Sequence, residues 1–215
     1  MNAVFSQFAM TLIFILAVYF HIAKKNINVA VMYGVQSLVV VALLVASFLE
    51  QGAVSLLIVA LVTSLVKVLL APVFFARLIK RHEFKFTISS YLSTPLTLLV
   101  VALISVLVNS RIFAPVTRIV PANATYLSLA LAAMLISIFL MINRKGALSQ
   151  IVGVLSLENS IVAFAIFAGL EQSPALQLGI IFDIFIWLMI SIIFVSMLYK
   201  HFGSLDVTSM KHLKD

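Results

Sequence analysis

The sequence predicts an all-α integral membrane protein with a single polytopic domain over residues 1–215, and two observations carry this prediction. The chain is 64% apolar and only 10% charged, whereas soluble domains average about 45–50% apolar and about 25% charged residues. Apolar runs of about 20 residues, long enough to cross the hydrocarbon of a bilayer as a helix, follow one another along the chain. Glycine and proline are too few to suggest a linker between domains.

The predicted transmembrane helices number about seven and alternate with short connections. The N-terminal stretch has no basic segment, and no small-residue cleavage site follows its apolar run, so we expect the first helix to be retained. Within the third helix, Pro72 removes a backbone donor, which predicts a kink and a freed carbonyl at Val68. The predicted spans are 4–22, 29–49, 53–76, 87–109, 123–142, 149–170 and 175–199.

Lysine and arginine are concentrated in alternate connections. Because basic loops stay on the cytoplasmic side of a membrane, we expect the N-terminus outside and the C-terminal tail 200–215 in the cytoplasm. This distribution accounts for the net charge of +7 without a nucleic-acid partner. Eleven of the 14 basic residues fall on the predicted inner side: Lys24, Lys25, Arg77, Lys80, Arg81, Lys85, Arg144, Lys145, Lys200, Lys211 and Lys214.

Three charged residues fall inside predicted helices, namely Lys67, Glu158 and Asp183. An ionised side chain at the centre of a bilayer costs at least about 2.5–3.5 kcal/mol, so we interpret all three as candidates for a proton path. Straight helices would place them at depths that differ by roughly 5 Å, with one or two waters between neighbours. The structural alternative is a carboxyl that only hydrogen-bonds a neighbouring helix. Other polar residues in the predicted helices could line this proton path, or could equally form hydrogen bonds between helices. They are Gln36, Ser156, Asn159 and Thr63.

An internal repeat of about 120 residues is indicated by three short matches in the same order. They are KKN at 24–26 with RKG at 144–146, GVQSL at 34–38 with GVLSL at 153–157, and LEQ at 49–51 with LEQ at 170–172. Because four helices separate the copies, both are predicted to have the same orientation, as in the parallel repeats of some transporters. The expected parts are repeat A at about 4–76, a connector helix at about 87–109 and repeat B at about 123–199.

Ligands for redox or metal chemistry are missing from this sequence. The chain has no cysteine, which excludes iron–sulfur ligation by its own thiolates. The histidines lie at or beyond the predicted helix ends, where a lone side chain is usually solvated, so none is assigned as a ligand: His21, His82, His201 and His212. We therefore predict no cofactor, no metal site and no catalytic residue in the chain itself.

Several segments resemble the hydrogenase-4 component E family of formate-hydrogenlyase-type complexes. These are YGVQSLVVVALL, SLVKVLLAPVFF, GVLSLENSIVAFAIFAGL, LGIIFDIFIWLMISIIF and the tail HFGSLDVTSMKHLKD. The last three helices also resemble the K subunit of respiratory complex I, in which Glu158 matches one membrane glutamate and Asp183 matches the other with a shorter carboxylate. Lys67 has no counterpart in the K subunit and matches a lysine of the hydrogenase component.

The resemblance implies a non-catalytic subunit in the membrane arm of a complex I-like, membrane-bound [NiFe] hydrogenase. It implies that the buried charges contribute to a proton or ion path, and that oxidoreductase chemistry resides in other subunits. The implied location is the inner membrane of a prokaryotic cell. The implied partners are antiporter-like subunits, a membrane-anchor subunit and the lipid bilayer.

A free-standing secondary transporter or cation/proton antiporter is the alternative that the repeat and the buried charges also permit. Against it, 215 residues leave little protein to form two halves that rock around a cavity. A retinal-binding photoreceptor is disfavoured, because such proteins carry their Schiff-base lysine on the last helix, where this chain has Asp183.

Overall fold

The computed structural model describes residues 1–81 and 89–170, together with the single positions 179, 182, 185, 189 and 193. The described residues are almost entirely helical, which confirms the predicted all-α fold, and five stretches are long and apolar enough to cross a membrane. The five single positions are helical and exposed. The predicted seventh helix at 175–199 falls mostly outside the described residues, and Asp183 and the tail 200–215 lie wholly outside them.

The helices are bounded as follows. They are α1 Ala3–Ile22, α2 Asn26–Gln51, α3 Val54–Thr63, a π-helix at Ser64–Leu70, α4 Ala71–Arg81, α5 Thr94–Val108, the short α6 Ala114–Thr117, a 3-10 turn at Pro121–Asn123, α7 Ala124–Asn143 and α8 Ala147–Ala168. Helices α1 and α2 form one hairpin and α7 and α8 form another. Each hairpin is closed by a three-residue connection, at 23–25 and at 144–146.

The two hairpins match each other closely in their bounds. Helices α1 and α7 both have 20 residues, and each begins after an asparagine N-cap, Asn2 or Asn123. The third sequence match is wrong as a structural equivalence, because LEQ at 49–51 closes helix α2 whereas Leu170 lies beyond the end of α8. The helix ends correspond instead through two left-handed glycines, Gly52 with φ 67° and Gly169 with φ 69°. A glycine accepts this conformation without the steric cost of a Cβ.

Equivalent helices of the two hairpins lie side by side and run in the same direction. Near the start of α1 and α7, the Tyr126 hydroxyl donates to the Ala3 carbonyl at 3.3 Å. At the other end of the same pair, the Arg144 guanidinium donates to the Ala23 carbonyl at 3.1 Å. Helices α2 and α8 meet near their middles, and the core between the four helices is apolar, with Ile13, Val40, Ile136 and Ala163 fully or almost fully buried.

Gly153 sets the close approach of α8 to α7. A Cβ at this position would lie 2.6 Å from Met141 Cγ and 3.3 Å from the Ser137 carbonyl oxygen. Distances below 3.0 Å are not tolerated by a methyl group, so a Cβ here would force the Met141 side chain or the helix backbone to shift. The second glycine of the sequence repeat, Gly34, has a similar role, since a Cβ there would lie 3.1 Å from Pro72 Cγ.

The third predicted span is not one α-helix. It is interrupted by the π-helix Ser64–Leu70, in which the Ala71 N–H donates to the Val66 carbonyl five residues earlier. We predicted a kink at Pro72, whereas the structure places the irregular backbone in the turns that precede this proline. Proline sits early in α4, where its missing N–H costs little. A π-helix turns the following side chains relative to an α-helix and is frequent at functional sites.

The fourth predicted span is shorter than expected. We predicted a helix at about 87–109, but α5 is only Thr94–Val108, about 22 Å at 1.5 Å per residue. The described residues before it are extended, since Ser90 forms an isolated antiparallel bridge with Arg144 and the Leu92 N–H donates to Asn143 Oδ1 at 3.0 Å. The reason is Pro95, which stands in the first turn of α5 rather than inside a longer helix, the position at which proline is tolerated.

Candidate functional site

Lys67 lies at the centre of the π-helix and is 1% exposed. Its span, Val54–Arg77, is among the stretches apolar enough to cross a membrane. An ammonium group removed from water in this way must be neutralised or paired, because its transfer to an apolar medium is strongly unfavourable. Lys67 is therefore enclosed by other parts of the protein and is not exposed on its surface.

Glu158 of α8 supplies a pairing carboxylate. Its Oε2 atom lies 3.3 Å from Lys67 Nζ, and both side chains are buried. We predicted one or two waters between the two groups, and this is wrong, because the charged atoms are in direct contact. Depths counted along straight helices place each charge at its own Cα, whereas the four-carbon stem of lysine carries the ammonium several ångströms away.

Asn159 of α8 is a second contact of the Lys67 ammonium, beside Glu158. The Lys67 ammonium donates to Asn159 Oδ1 at 3.1 Å, and the Asn159 side chain is fully buried. Its amide nitrogen donates to Gln36 Oε1 at 3.3 Å and to Ser37 Oγ at 3.0 Å. The amide therefore connects the ion pair to helix α2.

The orientation of these amides follows from one backbone group. Gln36 Nε2 donates to the Ile13 carbonyl at 3.3 Å, and a carbonyl only accepts. Gln36 must therefore turn its oxygen towards Asn159, which in turn must present its nitrogen to Gln36 and its oxygen to Lys67. A buried network that is satisfied throughout in this way is rigid and specific.

Two serines extend the network between the hairpins. Gln36 Nε2 also donates to Ser156 Oγ at 3.1 Å, and Ser156 shares a 2.9 Å hydrogen bond with Ser137 of α7. The sequence analysis did not include Ser137 or the Ile13 carbonyl. A single serine in an apolar helix carries no signal of its own, and a backbone carbonyl carries none at all.

The structure therefore brings together five of the residues selected from the sequence: Lys67, Glu158, Gln36, Asn159 and Ser156. Thr63 is buried at 5% exposure, but the described residues show no hydrogen bond between its side chain and this network. Asp183 lies outside the described residues, so its place in the proposed path stays a prediction.

A second buried polar cluster lies at the end of the α1 hairpin and corrects two expectations. His21 is not solvated: it is 4% exposed, its Nε2 lies 3.0 Å from the Ile136 carbonyl, and its ring stacks on Phe139. Arg144, expected to be a loop cation in water, is 3% exposed. It donates to the carbonyls of Phe20 and Ala23 as well as His21.

Arg144 acts as the C-terminal cap of helix α1. The last carbonyls of a helix have no partner within it and carry the negative end of its dipole, which a guanidinium satisfies with several parallel N–H groups. Burial lowers the pKa of Arg144 to about 10, so the side chain keeps its charge at neutral pH. The three carbonyls supply acceptors for a cation that is buried here.

A cavity of about 320 Å³ lies elsewhere, between α1, α5, α6 and α7. Its lining includes Ser105, Asn109, Thr117 and Arg118, and no residue of the Lys67 network lines it.

Among the described residues, no group of three or more His, Asp or Glu side chains is close enough together to hold a metal ion. The buried Lys67–Glu158 pair is an arrangement of the kind that can exchange a proton between its two groups. No protein-family model, curated protein or solved structure matches the chain.

Proposed function

We propose that the chain is a non-catalytic membrane subunit of a complex I-like, membrane-bound [NiFe] hydrogenase, in which Lys67 and Glu158 form one step of a proton or cation path. The observation that carries the proposal is the buried ion pair with 3.3 Å between its charged atoms. Intramembrane ionisable residues mark ion pathways and proton relays far more often than they serve structure alone. The resemblance of the surrounding segments to the hydrogenase-4 component E family supports the choice of assembly.

The pair suits proton transfer because it has two protonation states with the same net charge. A proton that moves from the ammonium of Lys67 to the carboxylate of Glu158 converts two opposite charges into two neutral groups. In water the charged state is strongly favoured, but desolvation penalises charge and brings the two states closer in free energy. Because the two groups are in contact, a proton can pass between them without a large rearrangement.

The proposed setting is the cell membrane of a prokaryote, with the N-terminus outside and the tail 200–215 in the cytoplasm. The distribution of lysine and arginine among the connections supports this orientation. The proposed partners are antiporter-like subunits and a membrane-anchor subunit, which would continue the path beyond this chain.

Glu158→Gln tests the function in native membranes. Glutamine keeps the shape and hydrogen-bonding capacity of the side chain but removes the titratable proton. We expect the complex to assemble and to keep hydrogenase activity with soluble dyes, while proton pumping into everted vesicles is lost. The matched control is Glu50→Gln, because Glu50 lies at the end of α2 and pairs with the N-terminal ammonium of Met1. Full pumping by an assembled Glu158→Gln complex would contradict the proposal.

A free-standing cation/proton antiporter is the second candidate. The observation that favours it is the position of the polar network, which lies where equivalent helices α2 and α8 of the two hairpins meet. Transporter sites lie at such interfaces between repeats. Co-purification from native membranes in mild detergent distinguishes the two: recovery of a [NiFe] subunit with the chain supports the hydrogenase assembly, and recovery of the chain alone supports the antiporter.

A further inference from the structure

We infer that the ion handled at the Lys67–Glu158 pair is a proton and not Na⁺, because the lysine ammonium occupies the position that a bound Na⁺ would need. The inference rests on the proposed function and names the ion of that same site. It is drawn from the described residues alone.

The first step is the geometry around Lys67 Nζ. This atom lies 3.3 Å from Glu158 Oε2 and 3.1 Å from Asn159 Oδ1. A buried Na⁺ replaces its hydration shell with several oxygen ligands, commonly a carboxylate together with amide or backbone carbonyl oxygens. Those two oxygen types are present here, but they already face a cation that is covalently attached to the chain.

The second step is the direction of the amide groups. The Ile13 carbonyl fixes Gln36, and Gln36 fixes Asn159, so that Asn159 Oδ1 points at Lys67. The Asn159 nitrogen is already shared between Gln36 Oε1 and Ser37 Oγ. The oxygen of Asn159 therefore cannot turn to a second cation position without the loss of these hydrogen bonds.

The third step is the cost of exchange. A Na⁺ that took these oxygens would displace the ammonium, which would then be buried beside a second positive charge and without these acceptors. Loss of such contacts by a buried charge is strongly unfavourable. A proton requires no such displacement, since it can move on the atoms that are already in contact.

The same geometry predicts how to create a Na⁺ site. Removal of the Lys67 side chain leaves a carboxylate and an amide oxygen around a space that an ammonium had filled. The carboxylate of Glu158 has then lost the ammonium as a counter-charge, and a Na⁺ in the same space would restore one. The Lys67→Ala chain is therefore expected to gain affinity for Na⁺ that the wild type lacks.

The experiment measures equilibrium binding of radioactive Na⁺ to the purified full-length chain in lipid nanodiscs, with choline as the replacement cation. We expect no saturable binding to the wild type, saturable binding that approaches one Na⁺ per chain for Lys67→Ala, and none for the double variant with Glu158→Gln. Thermal unfolding provides a second readout. NaCl should raise the midpoint of Lys67→Ala above its value in choline chloride and should leave the wild-type midpoint unchanged.

Saturable Na⁺ binding by the wild type that Glu158→Gln abolishes would overturn the inference. A folded Lys67→Ala chain that binds no Na⁺ would also overturn it, because the ammonium would then not be what excludes the ion. If Lys67→Ala does not fold, Lys67→Ser serves the same purpose, since its hydroxyl adds a Na⁺ ligand. Binding that is equal in the wild type and Glu158→Gln belongs to another site and agrees with the inference. Normal proton pumping by Glu158→Gln would contradict the proposed function. It would not change the Na⁺-binding results, which test the inference separately.

Discussion

Lys67 Nζ and Glu158 Oε2 lie 3.3 Å apart in the interior of the helical assembly. Lys67 belongs to the π-helix Ser64–Leu70 and Glu158 belongs to helix α8, and both elements pack against α2. The pair joins the span Val54–Arg77 to the second hairpin. The π-helix and the ion pair therefore belong to one local arrangement, since a change in either alters the direction or the partner of the lysine.

Loss of this pair should be measurable as a loss of stability. We expect Lys67→Met to lower the free energy of unfolding by about 3–5 kcal/mol, because the buried ion-pair contact with Glu158 is lost. Glu158→Gln should have an effect of the same sign. The double variant should cost less than the sum of the two, since neither charge is left behind. Denaturant unfolding of the full-length chain in detergent measures all three.

Lys145→Met is the control for the loss of a lysine, because Lys145 is only partly buried and contacts the ring of Tyr91 at 5.1 Å. Its loss should cost no more than about 1 kcal/mol. Strictly additive effects of Lys67→Met and Glu158→Gln would show that the two side chains do not interact.

The sequence identified Lys67 and Glu158 separately, since each is a charge in an apolar run and the cost of burying it is known. Their contact could not be predicted. It depends on the π-helix Ser64–Leu70, and a π-helix has no reliable sequence signal beyond the nearby Pro72. The rotation that this segment introduces changes which neighbour the lysine meets.

Local chemistry that was present in the sequence would have improved one other prediction. Ser93-Thr94-Pro95 is a helix-start pattern, with proline where the first turn tolerates it, and α5 does begin at Thr94. The burial of His21 and Arg144 could not be predicted in this way from the sequence, because it depends on the side-by-side packing of α1 and α7. A basic residue between two spans is ordinarily interpreted as a loop cation.

Asn159→Leu tests the amide network. The substitution is nearly equal in size and removes the hydrogen bonds to Lys67, Gln36 and Ser37. Each buried partner left unsatisfied costs about 1–3 kcal/mol, so we expect a loss of several kcal/mol in the free energy of unfolding. Asn109→Leu is the control, because Asn109 is exposed and donates only to the Ser105 carbonyl on its own helix. Equal stability of the two variants would contradict the assigned network.

Gly153→Ala tests the close packing of α7 and α8. The added methyl group would lie 2.6 Å from Met141 Cγ and 3.3 Å from two backbone atoms, so the Met141 side chain or the helix backbone must shift. We expect the free energy of unfolding to fall by about 1–3 kcal/mol. Gly146→Ala is the matched control, because a Cβ at Gly146 meets nothing within 4 Å. A Gly153→Ala chain as stable as Gly146→Ala would show that the helices are less tightly packed than the structure indicates.

The membrane orientation is tested with two epitope tags in intact cells. A tag inserted near Ala114, in the short helix α6, should be accessible to a reagent that does not cross the membrane. A tag after Asp215 should be protected until the cells are permeabilised. Both expectations follow from the basic residues in alternate connections. The reverse pattern would invert the proposed orientation while leaving the Lys67–Glu158 contact unaffected.

Arg144→Met tests the cap at the end of helix α1. The side chain satisfies carbonyls of Phe20, His21 and Ala23 that have no other side-chain donor among the described contacts, and methionine fills the space without a donor. We expect the midpoint of thermal unfolding to fall, with a loss of about 2–4 kcal/mol, because buried carbonyls are left without partners. Arg144→Lys should recover only part of this loss, since an ammonium keeps the charge at the helix end but lacks the planar fork of the guanidinium. Lys145→Met changes the neighbouring basic residue and should be close to wild type. If Arg144→Met and Lys145→Met unfold at the same temperature, Arg144 is an ordinary loop cation and the cap makes no contribution to stability.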